Sequence, residues 1–249
     1  MIDLHCHILP LDDGAQSFDE SVAIARIARQ NRITRIVATP HFKKLSSPQS
    51  FLRRRDAALE RVRQSLLRDG IDIELFPGAE VQLSDEIFYA GDLRPACIAG
   101  SRFLLVEFDY DLTSAAVVRR YLEEILRRGM YPIIAHPERC AAFLNDYELV
   151  NDLAEEGTLF QLTAEALTMQ TPPVSLDLAA QMAYSNIAQF IATDAHRAYG
   201  HRAPVAETFL RDTIPEITDA QLYFMTETAP EAIINDRFPP ARAYGYLRY

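Results

Sequence analysis

The sequence predicts an α/β fold in which parallel strands and covering helices alternate around a barrel. Short apolar runs alternate with longer amphipathic stretches from the first residues onward. This alternation is typical of parallel βα units, and about seven such units suit a barrel. A length of 249 residues is ordinary for one barrel, and no linker, repeat or low-complexity tract divides the sequence. We therefore expect a single domain over residues 1–249.

Seven apolar runs predict the strands, at residues 2–4, 33–38, 71–76, 103–106, 132–135, 158–162 and 190–192. Helical patterns follow most of these runs, at residues 18–30, 49–68, 115–128, 146–156, 176–184 and 203–211. The first helix has the pattern of a capping box, in which Ser17 is the N-cap and Glu20 follows three residues later.

Composition narrows the classes of function and location. The net charge of −10 argues against a general nucleic-acid binder. No apolar run approaches the ~20 residues that span a bilayer, and the N-terminus lacks the basic region of a signal peptide. The three cysteines Cys6, Cys97 and Cys140 make no disulfide framework, so we expect a cytoplasmic location.

One stretch departs from the acidic balance and has two interpretations. It is either the solvated face of a helix or a basic surface that an anionic substrate approaches. Eight cations stand there against Asp56, Glu60 and Asp69: Lys43, Lys44, Arg53, Arg54, Arg55, Arg61, Arg63 and Arg68.

Histidines and carboxylates stand at the ends of the predicted strands. In a parallel barrel all the carboxyl ends meet on one face, where barrel active sites lie. The predicted strand at residues 158–162 offers only Gln161 and Thr163. The other six predicted strands end at or just before a histidine or a carboxylate, and five of the six histidines fall at these positions. These residues are His5, His7, His41, Glu80, Glu107, His136, Asp194 and His196.

Two adjacent acids follow the first strand closely enough to join this set. His5 and His7 stand two apart in a strand and project to the same side. Asp12 and Asp13 come directly behind them, and the order of the "DDG" motif after H-x-H favours Asp13.

So many imidazoles and carboxylates on one face predict a metal site. Without compensation the carboxylates would repel one another, and divalent cations remove that repulsion because both groups are their usual ligands. A closed zinc site takes only four ligands, so two or three ions with bridging carboxylates fit better. Close metal ions activate a water and clamp phosphoryl oxygens, which predicts hydrolysis of phosphate esters.

The ordered motifs resemble a known family. H-x-H, T-P-H, G-A-E, E-F, A-H-P-E-R and D-A-H are similar to the polymerase and histidinol phosphatase (PHP) superfamily. More narrowly, "IDLHCHILPLDDGA", "TRIVATPHF", "FPGAEVQL", "LLVEF", "PIIAHPERC" and "IATDAHRAYGHRAP" resemble the manganese-dependent protein-tyrosine phosphatases of bacterial capsule and exopolysaccharide loci.

This resemblance implies a distorted (β/α)7 TIM-like barrel of the PHP type that holds three divalent metals, usually manganese. It implies attack on phosphotyrosine by a metal-bridging hydroxide, with the tyrosine-rich tail of a bacterial tyrosine kinase as substrate. Iron, cobalt and zinc suit the same ligands. By motif, the arginines that bind the phosphate and serve catalysis are Arg139 and Arg202. The implied metal ligands are His5, His7, Asp13, His41, Glu80, Glu107, His136, Asp194 and His196.

Two other functions remain open at this point. The same site could hydrolyse a small phosphomonoester such as histidinol phosphate, or the chain could be a regulatory subunit that binds the kinase. A cysteine mechanism is disfavoured, because "CIAGSR" at Cys97 has four residues between cysteine and arginine where the C-x5-R motif has five. We interpret all three cysteines as structural.

Overall fold

The computed structural model describes residues 1–43, 47–167, 172–204 and 216–249. The strands within these ranges are β1 Ile2–Cys6, β2 Arg35–Ala38, β3 His41–Phe42, β4 Glu74–Pro77, β5 Glu80–Gln82, β6 Phe103–Glu107, β7 Tyr131–Ala135, β8 Leu159–Thr163 and β9 Phe190–Ala192. The helices are α1 Phe18–Gln30, α2 Pro48–Arg68, α3 Ala115–Arg127, α4 Ala141–Leu144, α5 Tyr147–Glu155, α6 Pro173–Tyr184, α7 Asp219–Tyr223 and α8 Ala229–Ile234.

The strands pair in parallel and form two sheets. The first has the order β1-β2-β4, and the second has the order β3-β5-β6-β7-β8-β9. The pair β2 and β4 continues into the pair β3 and β5 after short breaks. Pro40 lies between β2 and β3 and interrupts the hydrogen-bonded ladder because it has no N–H. Gly78 lies between β4 and β5 and lets the two chain segments approach closely, since a Cβ there would lie 2.7 Å from Val37 Cγ1.

The other ends of the two sheets also meet. Cys6 in β1 forms a parallel bridge with Ala195, which follows β9. The amide of Asp194 donates to the carbonyl of His5 at 2.8 Å, and the amide of His7 donates to the carbonyl of Ala195 at 2.9 Å. The first strand therefore lies beside the last, and these contacts place their carboxyl ends together.

Alternate strand residues enter different apolar clusters, as the period of two in a strand requires. Ile2, Leu105, Ile133 and Phe190 pack in one cluster. Neighbouring residues such as Leu104 belong to the large cluster that includes residues of helices α3, α5 and α6. Because both faces of the strands are buried in this way, their sequences are continuously apolar runs.

The parallel α/β prediction is confirmed, and each of the seven predicted runs overlaps a strand. The short strands β3 and β5 and the C-terminal helices α7 and α8 were not predicted. Residues 205–211 of the helix predicted at 203–211 lie outside the described residues.

The capping box of α1 forms only in part. Ser17 Oγ accepts from the amide of Glu20, as predicted, but the Glu20 carboxylate accepts from the amide of Gln16. The complete box lies at α7, between Thr218 and Gln221.

Candidate metal centre

The nine predicted metal ligands lie together at the carboxyl ends of the strands. His5 is in β1, His41 begins β3, Glu80 begins β5 and Glu107 ends β6. Four groups of donor atoms, each within 4.8 Å, could hold a metal ion. They are His7, Asp13, His41 and His196; His5, His7 and Glu80; His5, His136 and Asp194; and His41, Glu80 and Glu107. These groups contain all nine residues and no others.

His5 in β1 and His7 directly after it point the same ring nitrogen, Nε2, at each other. His5 Nδ1 donates to Gln161 Oε1 at 2.8 Å, and His7 Nδ1 donates to Asp12 Oδ2 at 2.8 Å. Their Nε2 atoms are therefore turned inward and lie 3.1 Å apart. Such outer partners fix ring orientation in metal sites, and two facing nitrogens need a proton or a cation between them.

Glu80 is the carboxylate at the middle of the cluster. Its Oε2 lies 3.3 Å from His5 Nε2 and 3.1 Å from His7 Nε2. The same oxygen is 3.0 Å from His41 Nδ1, and Oε1 is 2.7 Å from His136 Nε2. Glu80 is 1% exposed. One buried carboxylate thus contacts four imidazoles, which is the arrangement expected of a bridging ligand.

Asp13, His41 and His196 form the outer edge of the cluster. Asp13 Oδ1 lies 3.3 Å from His41 Nε2 and 3.7 Å from His196 Nε2. The Asp13 side chain is 63% exposed, whereas Asp12 is partly buried and accepts from the amide of His41 at 2.7 Å. Asp12 therefore orients His7 and the third strand, and Asp13 faces the open side.

Three buried side-chain nitrogens lack a hydrogen bond within the described residues, and two of them are ring nitrogens of the cluster, His41 Nδ1 and His196 Nε2. His196 Nδ1 donates to the carbonyl of Asp194 at 2.8 Å, so Nε2 carries the free lone pair. An unpartnered buried acceptor is costly unless a cation or water meets it. The donor set and these two atoms fit divalent metal ions.

The pKa values of the cluster shift in both directions, because buried carboxylates and imidazoles face one another. Burial lowers the pKa of His7, but Asp12 and Glu80 outweigh it and raise that pKa to about 9. Burial also lowers the pKa of His41, but Glu107 and Glu80 raise it to about 10. Burial and the charge of His7 lower the pKa of His196 to about 3. Burial raises the pKa of the Glu80 carboxyl, but the surrounding histidines hold it well below its usual range.

Two arginines converge on the Asp194 carboxylate. Arg139 Nη1 donates to Oδ2 at 2.7 Å, and Arg202 Nη2 donates to both oxygens at 2.9 and 2.8 Å. Both guanidiniums are only partly exposed, and Arg202 lines the cavity of about 400 Å³ in front of the cluster. Two fixed cations beside the donor cluster are suited to bind anionic oxygens.

Three of the seven non-glycine residues with positive φ in the described part of the chain belong to this site. His136, Asp194 and Arg202 have φ values of 33°, 51° and 60°. Non-glycine residues rarely adopt this region, and such strain clusters at functional sites. Here it turns three site residues back over the strand ends.

Two buried carboxylates that were not predicted connect the loops of the site to neighbouring strands. Glu138 is fully buried and accepts from the amide and hydroxyl of Thr163, which ties the loop of Arg139 to β8. Asp3 accepts from the Thr193 hydroxyl at 2.5 Å and from the Thr193 amide at 2.9 Å, beneath Asp194. Their roles depend on strand neighbours distant in sequence, so no local pattern marks them.

The basic stretch divides between several environments. Lys43 and Arg54 line a cavity of about 420 Å³ beside Asp12, Asp13 and His41. Arg55 is instead buried and donates to the carbonyls of Gly78 and Pro95. Lys44 lies outside the described residues. No helix in the described ranges is long and apolar enough to cross a membrane.

The family model for capsular polysaccharide synthesis, CpsB/CapC, matches residues 1–234. The chain belongs to the CpsB/CapC family. This result confirms the resemblance seen in the motifs.

Relatives of this CpsB/CapC chain include named tyrosine-protein phosphatases and a solved structure. Tyrosine-protein phosphatase YwqE of Bacillus subtilis (strain 168) is 31% identical over 204 residues, covering 79% of this chain and 77% of YwqE. Tyrosine-protein phosphatase CpsB of Streptococcus pneumoniae is 31% identical over 173 residues, covering 66% of this chain and 68% of CpsB. A structure from work on YwqE and CpsB, described as unique metal-dependent tyrosine phosphatases, matches all of both chains with a TM-score of 0.85 and 25% identity.

The loop that carries Asp12 and Asp13 depends on Gly14. A Cβ at Gly14 would lie 2.2 Å from the His7 carbonyl oxygen and 2.6 Å from His7 Cβ. Gly14→Ala is therefore expected to push the loop off His7 and weaken metal binding about 10–100-fold, as loss of an orienting partner does. Metal titration of the purified variant measures this. Gly245→Ala is the control, because its Cβ would meet only Ser185 at 3.7 Å. Equal metal affinity in both variants would contradict the prediction.

Proposed function

We propose that this chain is a metal-dependent protein-tyrosine phosphatase. The observation that carries the proposal is the buried Glu80 carboxylate, which joins four histidines of the donor cluster. Arg139 and Arg202 stand beside that cluster, and Arg202 lines the cavity in front of it. Membership of the CpsB/CapC family and the names of the relatives support the substrate class.

We propose three divalent ions, with manganese as the metal. The nine donors would hold them, and because Glu80 belongs to two of the donor groups, neighbouring ions would lie close together. Imidazole and carboxylate ligands suit manganese, and also iron, cobalt and zinc. When bound, such ions supply an activated water and neutralise charge on a phosphoryl group.

The chain's own residues would orient the phosphate. Arg139 and Arg202 present guanidinium N–H groups that match phosphate oxygens in bidentate geometry. Asp194 holds both guanidiniums in place before substrate arrives. Such preorganised charge favours the transition state, in which the phosphoryl oxygens must be stabilised.

We further propose that the substrate is the phosphorylated tyrosine-rich tail of a bacterial tyrosine kinase. Lys43 and Arg54 beside the donor cluster support an acidic peptide, since neither pairs with a carboxylate in the described part of the chain. They would meet acidic groups that flank the phosphotyrosine.

The architecture behind this activity is proposed to be one domain with a closed seven-stranded barrel. Continuation of β2 into β3 and of β4 into β5 makes seven strand positions. The bridge between Cys6 and Ala195 supports closure between the first position and the last.

A cysteine nucleophile does not fit the thiols of this chain. All three cysteines are buried and free. Burial raises the pKa of Cys97 to about 12 and also raises the pKa of Cys140, so neither thiol forms the reactive thiolate. Free thiols support the proposed cytoplasmic location, because disulfides persist in oxidising compartments.

Metal removal and substrate choice test the function together. Phosphate release from a phosphotyrosine peptide is expected to vanish after chelation and return on addition of Mn²⁺, with lower activity on histidinol phosphate. Elemental analysis should find about three ions per chain when each proposed site is filled. Activity of a metal-free sample would overturn the metal role. Preference for histidinol phosphate would show that the substrate is a small phosphomonoester. Binding of a kinase without turnover would indicate that the chain is a regulatory subunit.

A further inference from the structure

The cavity in front of the donor cluster offers very little apolar surface. Its walls are charged or polar and include Asp13, His41, Glu107 and Arg202. Phe108 also lines the cavity but is only 3% exposed. Among the described residues of this lining, the exposed aromatic face is that of Tyr110, which is 46% exposed. Tyr110 therefore offers an exposed aromatic surface to a phenyl ring that enters this cavity.

Tyr110 lies between the cavity in front of the donor cluster and a neighbouring cavity. Its ring meets the His136 ring edge-on, with centroids 5.7 Å apart and planes at 86°. The Arg139 guanidinium interacts with its hydroxyl. Tyr110 and Arg202 also line a second cavity of about 510 Å³, so they mark the border between the two spaces.

The backbone holds this ring in a defined position. The carbonyl of Tyr110 accepts from the amide of Ala141 at 2.8 Å. The Cys140 thiol lies 3.5 Å from the Asp109 carbonyl and 3.7 Å from the Leu112 carbonyl, on either side of Tyr110. The loop of Tyr110 is thus fastened to the residues that directly follow Arg139. A loop fastened in this way needs little backbone ordering when a ligand packs on Tyr110.

We propose that the phenyl ring of phosphotyrosine packs on Tyr110 and that this contact sets a preference for aryl over alkyl phosphomonoesters. The inference rests on the proposed phosphatase function. In phosphotyrosine the ring separates the phosphate from the main chain, so a phosphate bound at Arg139 and Arg202 places the ring at the cavity border. Phosphoserine has no ring to make this contact. Aromatic pairs gain stability beyond the area that they bury.

The test compares two peptides that differ only in carrying phosphotyrosine or phosphoserine. In metal-loaded Tyr110→Ala, the ratio of kcat/KM for the two peptides is expected to fall about tenfold, mainly through KM for phosphotyrosine. Tyr110→Phe keeps the ring and should retain the wild-type ratio. Tyr89→Ala, which removes a tyrosine that is 88% exposed and outside this cavity, is the matched control.

An unchanged ratio in Tyr110→Ala would overturn the inference, and so would an equal loss on both peptides, which would indicate a structural role. Tyr110→Leu, which keeps apolar bulk, gives a second variant if the alanine protein loses its metal. Failure of the proposed function is distinguishable, because the wild-type protein would then not hydrolyse the phosphotyrosine peptide.

Discussion

Replacing Glu80 with glutamine is expected to abolish metal-dependent hydrolysis, with a fall in kcat/KM of about 10³-fold or more. The amide has nearly the same shape but no negative charge. Glu80 is the carboxylate that contacts His5, His7, His41 and His136, so its neutralisation removes the one negative charge that all four imidazoles share. Loss of this ligand should exceed the 10–100-fold effect typical of partners that only orient a ligand.

Metal analysis and activity together measure the Glu80→Gln effect. The variant should retain less metal than wild type, and circular dichroism should show the wild-type fold. Glu74→Gln is the matched control, since Glu74 also stands in a strand of the same region but is exposed. Wild-type metal content with wild-type turnover in Glu80→Gln would refute the assignment of Glu80 as a shared ligand.

Arg139→Ala and Arg202→Ala are each expected to lower kcat/KM by about 10²–10³-fold while the metals remain bound. Each substitution removes a guanidinium that is aimed into the site by Asp194. Arg139→Lys should recover only part of the loss, because an ammonium cannot reproduce bidentate contact with phosphate.

The metal content of both arginine variants separates phosphate binding from damage to Asp194. Arg94→Ala is the control, because Arg94 is exposed and its side chain pairs with Asp92, away from the site. Normal turnover in both alanine variants would remove these residues from the proposed mechanism. Loss of metal in parallel with activity would show that they serve Asp194 instead.

The location of the donor cluster could be predicted because its residues end apolar runs. In a parallel fold that position alone determines that side chains such as Glu107 and His136 share one face. The sequence favours Asp13 over Asp12 as a metal ligand, which stays a prediction, and only the structure shows what Asp12 contacts. Asp12 accepts from His7 and from the His41 amide, and both contacts depend on how the loop folds back.

The parts that could not be predicted depend on pairing between distant strands. Glu138 contacts Thr163 because β7 and β8 are neighbours, and Asp3 contacts Thr193 because β1 lies beside β9. The strands β3 and β5 are two and three residues long, so they show too little of a periodic pattern to be recognised. Tyr110 follows β6 without any motif, and its importance lies in being an exposed ring at a charged cavity.

The bridge between Cys6 and Ala195 joins positions 189 residues apart and so affects the order of events during synthesis. The first strand emerges from the ribosome long before the segment that will lie beside it. At typical rates of elongation the interval is roughly 10–40 s. Throughout that time His5 and His7 lack the neighbours Asp194 and His196. The site is therefore assembled by one of the last events of folding, and a nascent or truncated chain that ends before residue 194 cannot acquire it.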